Sequence, residues 1–257
     1  GPLRLGEGIG REAVRGFTLS VLLEACGRDV AGLRDAAILS LGYDAGLRVS
    51  ELVAVAVELM EAQEDGSGLL EVPHSKADQE GQGAWVWLSP DTMRRVALWR
   101  EAASIRAGAL FRRVAVIRTK PREARRALAI EDLAYHARVD RERMAARPAR
   151  AATVTYGIGE RALTPAAMRL IIKRTALAAA DQGLVDLMGA DLDHAIDALS
   201  THSLRVGLTQ DLFANGEDAG PIAQALRWTS TATALRYGRK LAPSSNAAAR
   251  MLKGVRK

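Results

Sequence analysis

The sequence predicts a mainly α-helical fold with a small antiparallel β-hairpin, and three features lead to that expectation. Apolar residues recur at helical spacing along most of the chain, and Ser-Pro, Thr-Pro and Asn-Gly pairs punctuate those stretches. One segment changes to an alternating, strand-like period. The composition suits a folded chain: of 257 residues, 48% are hydrophobic and 26% charged, enough for one large core or two modest ones.

Residues 1–16 are rich in glycine and charge without apolar periodicity, and read as a linker or cloning remnant; residues 17–257 are expected to form one domain. After Phe17, Leu19, Leu22 and Leu23 mark a first helix, and after Gly32 the residues Leu33, Ala36, Ala37 and Leu41 share a face of a second that Gly46 stops. Ser50 starts a third, with Leu52, Val53 and Val57 apolar. Leu70-Glu71-Val72 and Trp85-Val86-Trp87-Leu88 then flank the polar stretch Ala77 to Gly83 as a hairpin, with Lys76 near the start of its turn. Trp85 and Trp87 are expected to divide, one buried and one exposed.

Ser89-Pro90 opens a helix through Leu98. Residues 112–160, helical in places and rich in arginine, are expected to elaborate the domain rather than form a second one. Thr164-Pro165 caps a helix whose buried stripe is Met168, Ile171, Ile172 and Thr175. After Ser200 a helix places Leu204, Leu208 and Leu212 four apart and ends at Asn215-Gly216. Pro221 opens another, a short one ends near Tyr237-Gly238, and Pro243 to Leu252 reads as a terminal helix.

Net charge is +6 with a pI near 9.8. Its placement matters more than its size. Ser200 to Lys257 holds nine Arg and Lys against three Asp and Glu, and Arg112 to Arg150 holds twelve against five. Such clustering favours a polyanionic partner, because each neutralised phosphate releases counterions, although an arginine-rich solvated surface has the same composition. Cys26 is the one cysteine, which excludes an internal disulfide and a four-cysteine metal site. With no apolar run of the roughly 20 residues a bilayer span needs, a cytoplasmic location is expected.

Three segments carry candidate chemistry. In Asp44-Ala-Gly-Leu-Arg-Val-Ser-Glu51, Arg48 stands between a helix-ending glycine and the next helix start, where it could hold an anion or form a surface ion pair. In Thr201-His-Ser-Leu-Arg-Val-Gly207, His202 and Arg205 stand three apart and project from one helix face, suited to a phosphoryl group or to solvent. In Leu226-Arg-Trp-Thr-Ser-Thr-Ala-Thr-Ala-Leu-Arg-Tyr-Gly238, Trp228 alone reads as core and Tyr237 alone as an amphipathic surface residue.

Taken together and in order, the segments resemble the tyrosine recombinase, or phage integrase, family over nearly all of residues 17–257. The pattern of Arg in A-G-L-R-x-S-E, Lys in a hairpin, H-x-L-R, His or Trp, then Tyr nine residues on is met by Arg48, Lys76, His202, Arg205, Trp228 and Tyr237. Trp228 in place of the third-box His makes it a Cre-like variant, and Arg227 stands where a glycine usually precedes that residue.

The resemblance implies a catalytic domain of DNA breaking-rejoining fold that acts on double-stranded DNA through a 3′-phosphotyrosyl intermediate. Tyr237 would be the nucleophile, Arg48 and Arg205 the clamp on the non-bridging oxygens, His202 and Trp228 further donors, Lys76 the general acid and Glu51 a support for Arg48. It implies action at the nucleoid, self-association on DNA in a tetrameric synapse through the terminal helix, and an N-terminal core-binding domain outside this chain. No cofactor or metal is expected, for the sequence has neither a phosphate-binding Gly-rich Lys loop nor a carboxylate cluster suited to two metals. A catalytically idle DNA-binding accessory protein and a type IB topoisomerase are the alternatives. Gly157-Ile-Gly159-Glu-Arg-Ala162 matches a loose dinucleotide fingerprint and is read as a decoy.

Overall fold

The computed structural model describes residues 17–73, 83–129, 144–238 and 251–252. The chain divides into two compact units, Gly1–Arg113 with Glu160–Lys257, and Val114–Gly159. The turn bearing Lys76 and most of the expected terminal helix lie outside the described residues. Among those described, no helix is long and apolar enough to cross a membrane.

In the first unit, side-chain caps fix where helices begin. Thr18 Oγ1 accepts from the Val21 amide at the start of α1 (Leu19–Ala25), 3.2 Å, and Asp29 Oδ1 from the Gly32 amide at the start of α2 (Val30–Asp44), 2.8 Å. Helix α2 is buried without interruption from Ala36 to Tyr43, so it runs through the core rather than over it. Gly46 follows at φ +53°, and α3 (Val49–Ala54) starts from Arg48.

Strands β1 (Met60–Ala62), β2 (Gly68–Val72) and β3 (Ala84–Leu88) form an antiparallel sheet in that order, with Leu70 opposite Val86 and Glu71 opposite Trp85. The expected hairpin is β2–β3, and β1 adds an edge that the sequence pattern did not signal. Trp85 and Trp87 are both exposed, at 52% and 56%, which corrects the expectation that they divide. Residues two apart share one face of a strand, and here Val86 and Leu88 take the buried face.

Helix α4 (Pro90–Ala102) is tied back to α2, because the Ser89 amide and hydroxyl both donate to Asp44 Oδ2, at 2.8 and 2.7 Å. Trp99 on α4 is fully buried and its Nε1–H donates to the Leu110 carbonyl at 2.9 Å.

After α4 the chain forms a two-stranded ribbon, β4 (Arg112–Thr119) with β5 (Thr153–Ala162), not the partly helical segment expected there. Val114, Val116, Ile117 and Thr119, then Thr153, Val154, Thr155 and Tyr156, are β-branched or aromatic, and they decide the local state against arginines that suit a helix as well. The loose dinucleotide fingerprint lies inside β5, with no strand-to-helix turn to hold a phosphate.

The first unit resumes with α5 (Pro165–Asp181), capped by Thr164, then α6 (Gly189–Ala198), α7 (Thr201–Ala214), α8 (Ala219–Ala225) and α9 (Thr231–Gly238). One apolar cluster joins Leu22, Leu39, Ile172, Ile196 and Leu204, drawn from α1, α2, α5, α6 and α7. A second joins Phe213, Ile222, Leu226 and Ala234 from α7, the α8 end and α9. Helix α7 is buried along most of its length and joins the two clusters.

Trp99→Ala should lower unfolding free energy by about 3–5 kcal/mol in a denaturant titration, because it opens a large cavity and orphans the Leu110 carbonyl; Trp99→Phe should cost less.

Candidate active site

Arg205 is the innermost of the charged residues singled out from the sequence. It lies one turn into α7 with 2% of its surface exposed. Its Nη1 donates to the Gly46 carbonyl and its Nη2 to the Leu226 carbonyl. The guanidinium also faces the Trp228 indole, 5.1 Å from the ring centroid. Burial, then the charges of Arg227 and Arg48, lower its pKa to about 10.

The Gly46 carbonyl is available because the chain leaves α2 through a left-handed turn. A Cβ at Gly46 would lie 2.4 Å from Leu226 Cδ2, so the turn that precedes Arg48 packs directly on the turn that precedes Trp228. Arg48, at the N-terminus of α3, is held by Glu51, whose Oε2 accepts from the Arg48 amide at 2.8 Å and whose Oε1 accepts from Arg48 Nη1 at 2.7 Å.

Arg227 also reaches Glu51. Its Nη2 donates to Glu51 Oε2 at 3.0 Å and its Nη1 to the Ala45 carbonyl at 3.1 Å. The residue sits at φ +54°, a left-handed conformation that glycine adopts freely and arginine at a cost of about 1–3 kcal/mol. The departure noted in the sequence, Arg where a glycine usually stands, is therefore a backbone position that asks for glycine. The signal was legible, but the role of the side chain in bridging two turns was not. Burial alone would raise the Glu51 carboxyl, but bonds from the Arg48 amide and guanidinium, together with Arg227, hold it below the usual glutamate value.

His202, on the first turn of α7, and Tyr237, near the end of α9, approach until His202 Nε2 and the Tyr237 hydroxyl are 3.0 Å apart. Tyr237 stacks on Trp228 with ring centroids 5.5 Å apart and planes 11° from parallel. Partial desolvation, then the charges of Arg205 and Arg48, lower the His202 pKa. Arg48, His202, Arg205, Trp228 and Tyr237 thus share one neighbourhood, with Glu51 and Arg227 against them. Lys76 lies outside the described residues.

Other tyrosine, histidine and cysteine side chains lie elsewhere. Tyr43 is buried and donates to Asp211 Oδ2 at 2.7 Å, and Tyr156 is on β5. His194 is exposed on α6. Cys26 donates to the Leu22 carbonyl, and burial pushes its thiol up to about 12.

The fold is that of a tyrosine recombinase catalytic domain. A crystal structure of XerA recombinase matches with TM-score 0.54 at 16% identity, covering 100% of this chain and 64% of that one. XerH site-specific recombinase bound to palindromic difH substrate in a post-cleavage complex matches with TM-score 0.56 at 14% identity, covering 98% and 54%. XerH bound to difH substrate before cleavage matches with TM-score 0.54 at 14% identity, covering 96% and 53%. The chain therefore spans between about half and two-thirds of the length of these recombinases. Neither a protein-family profile nor a curated protein sequence matches it.

Two expectations test the geometry. The His202 ring should titrate below the ordinary 6.5 in an NMR pH series, and Arg48→Gln should move the midpoint up. Because the folded-state pKa is the lower one, the unfolded chain takes the proton first, and this contribution to stability is lost as pH falls below 6.5. Arg227→Ala keeps the left-handed strain while losing both bonds and should cost about 1–3 kcal/mol in denaturant unfolding; Arg227→Gly relieves the strain and should cost about 1 kcal/mol or less.

Proposed function

We propose that this chain is the catalytic domain of a site-specific DNA recombinase of the tyrosine recombinase, or phage integrase, family. It cleaves and rejoins DNA strands through a 3′-phosphotyrosyl intermediate. The observation that carries this reading is the 3.0 Å approach of the Tyr237 hydroxyl to His202, whose pKa is lowered by partial burial and by the charges of Arg205 and Arg48.

In this reading the Tyr237 oxygen attacks the phosphorus of a phosphodiester as the bond from phosphorus to the 5′-oxygen breaks. His202 Nε2, unprotonated, accepts the phenol proton, and Lys76 protonates the leaving 5′-oxygen. Negative charge grows on the non-bridging oxygens. Arg48 is the more accessible arginine, with 39% of its side chain exposed, and Arg205 has donors left, for a guanidinium carries five N–H groups and two are committed to carbonyls. The Trp228 N–H is a further donor, and its ring orients Tyr237 by stacking. Glu51 holds Arg48 in place. The phosphotyrosyl bond conserves the phosphodiester's energy, so rejoining by a 5′-hydroxyl consumes no nucleotide.

The partner in this reading is double-stranded DNA, approached at the nucleoid and engaged in a tetrameric synapse. Segment 246–253 would supply the contact between protomers, and an N-terminal core-binding domain in the longer protein would complete the grip. An inactive accessory role fits less well, because an idle descendant gains nothing from preserving the His202–Tyr237 contact beside buried Arg205.

Covalent capture tests the chemistry. A nicked duplex bearing the cognate site should yield a denaturant-resistant protein–DNA adduct, and Tyr237→Phe should abolish it while leaving DNA affinity within about twofold, since only a hydroxyl is removed. An adduct that persists in Tyr237→Phe rejects this assignment of the nucleophile.

A further inference from the structure

The second unit, Val114–Gly159, supplies none of the residues assigned to the catalytic centre, yet it is strongly basic. Residues 114–129 and 144–159 hold seven Arg and Lys against the single carboxylate Glu123, and the whole of 114–159 holds ten against five. The fold concentrates that charge. Beyond β4 and β5 the two chain segments stay antiparallel, and two isolated bridges put Arg122 opposite Arg150 and Arg125 opposite Arg147. Both are reciprocal: the Arg122 and Arg150 amides donate to each other's carbonyls at 2.8 Å, and those of Arg125 and Arg147 at 2.9 Å.

Like charges set directly opposite across strands destabilise a ribbon, and side chains in such pairs start only about 5 Å apart. Arg122 and Arg150 splay away from one another, with Arg122 Nη2 donating to the Pro148 carbonyl at 3.3 Å and Arg150 Nη2 to the Lys120 carbonyl at 3.5 Å. Arg118, Lys120, Arg122 and Arg150 are all exposed, and none of the four makes an ion pair with a described residue. Val116, Ile117 and Val154 beside them are exposed as well, at 42%, 54% and 49%. A stable fold has no use for this pattern; a polyanion would relieve it.

We propose that the antiparallel segments 114–129 and 144–159 form a second DNA-binding element, one that grips the phosphate backbone of duplex DNA through Arg118, Lys120, Arg122 and Arg150. A two-stranded ribbon fits the B-form major groove, about 12 Å wide, whereas the A-form groove of duplex RNA is too narrow for it. The exposed valines and isoleucine suit thymine methyls and deoxyribose, and the arginines suit phosphate. The inference is independent of the proposed catalytic chemistry, because it needs only the charge and shape of this unit.

The test is salt-dependent binding of the full chain to a fluorescent duplex of about three helical turns, followed by anisotropy between about 50 and 200 mM salt. The variant R118Q/K120Q/R122Q/R150Q should bind at least about tenfold more weakly at ~100 mM salt, with the slope of log K against log salt reduced by about 0.9 per lost phosphate contact, or 2–4 in all. R118K/R122K/R150K keeps the charge and should keep the slope, which also separates lost contacts from a disturbed fold. Unchanged affinity and slope in the glutamine variant would overturn the proposal, as would a lysine variant as weak as the glutamine one. A poly-glutamate probe or a single-stranded RNA bound more tightly than the duplex, and released by the same glutamine variant, would overturn it in favour of a protein or RNA partner. Covalent capture on the nicked duplex is scored alongside: at saturating DNA the glutamine variant should give the wild-type adduct yield at a higher half-saturating DNA concentration. A ribbon effect without any Tyr237 adduct leaves this inference standing and rejects the catalytic reading, and an adduct without a ribbon effect does the reverse.

Discussion

Burial of the Arg205 guanidinium is the constraint from which the rest of the site follows. A cation removed from water costs several kcal/mol unless its protons find acceptors, and the two that serve here are main-chain carbonyls, those of Gly46 and Leu226. To offer the first, α2 must end in a left-handed turn at Gly46, packed so closely on Leu226 that a Cβ there would displace the leucine side chain. To offer the second, α8 must stop at Leu226 and the chain must turn left-handed again at Arg227. One turn leads directly into Arg48 and the other into Trp228. A single buried charge therefore sets where the remaining polar groups emerge.

The charge balance around that centre is incomplete. Among the described residues, Arg48, Arg205 and Arg227 gather around the carboxylate of Glu51, which bonds to the first and third but not to the second. The excess shows in the neighbours: after burial, the arginine charges act on His202 and on Arg205 to disfavour the protonated form of each. A site that repels its own cations gains most from an anion that grows within it. Fixed positive groups of this kind favour a charge-building transition state over the substrate that precedes it.

The sequence made the helices legible where the chemistry is local. Thr18, Asp29, Ser89 and Thr164 cap the helices that follow them, and the alternation around Leu70 and Val86 marks the hairpin. The candidate residues could be picked out by type and spacing, but their convergence comes from segments more than 150 residues apart, which no local pattern encodes. Besides the β1 edge, three features were missed for separable reasons. The β4–β5 ribbon was obscured because arginine is a good helix former, so the β-branched residues between the arginines were outweighed in the reading. Helix α6 is short, with Asp191, His194 and Asp197 exposed among its apolar positions. The bridge from Arg227 to Glu51 joins residues 176 apart and depends on a backbone angle that composition does not reveal.

Tyr237 is held quite differently from the cations it faces. Arg205 is locked by carbonyls on two turns and Arg48 by the carboxylate of Glu51, whereas Tyr237 belongs to α9, an eight-residue helix that contributes only Ala234 to the buried cluster beneath it. A helix of that length has no stability of its own and keeps its place through packing alone. The ring itself rests on a stack against Trp228 and one contact with His202. Both contacts are worth little compared with the anchoring of the arginines, since a stacked aromatic pair contributes about 0.5–1.5 kcal/mol. The electrostatic part of the site is thus preorganised in the core while the hydroxyl is delivered by the element that moves at least cost. Under the proposed chemistry, displacing α9 would withdraw Tyr237 without disturbing the charges, so control could act on the helix and leave the arginines in place.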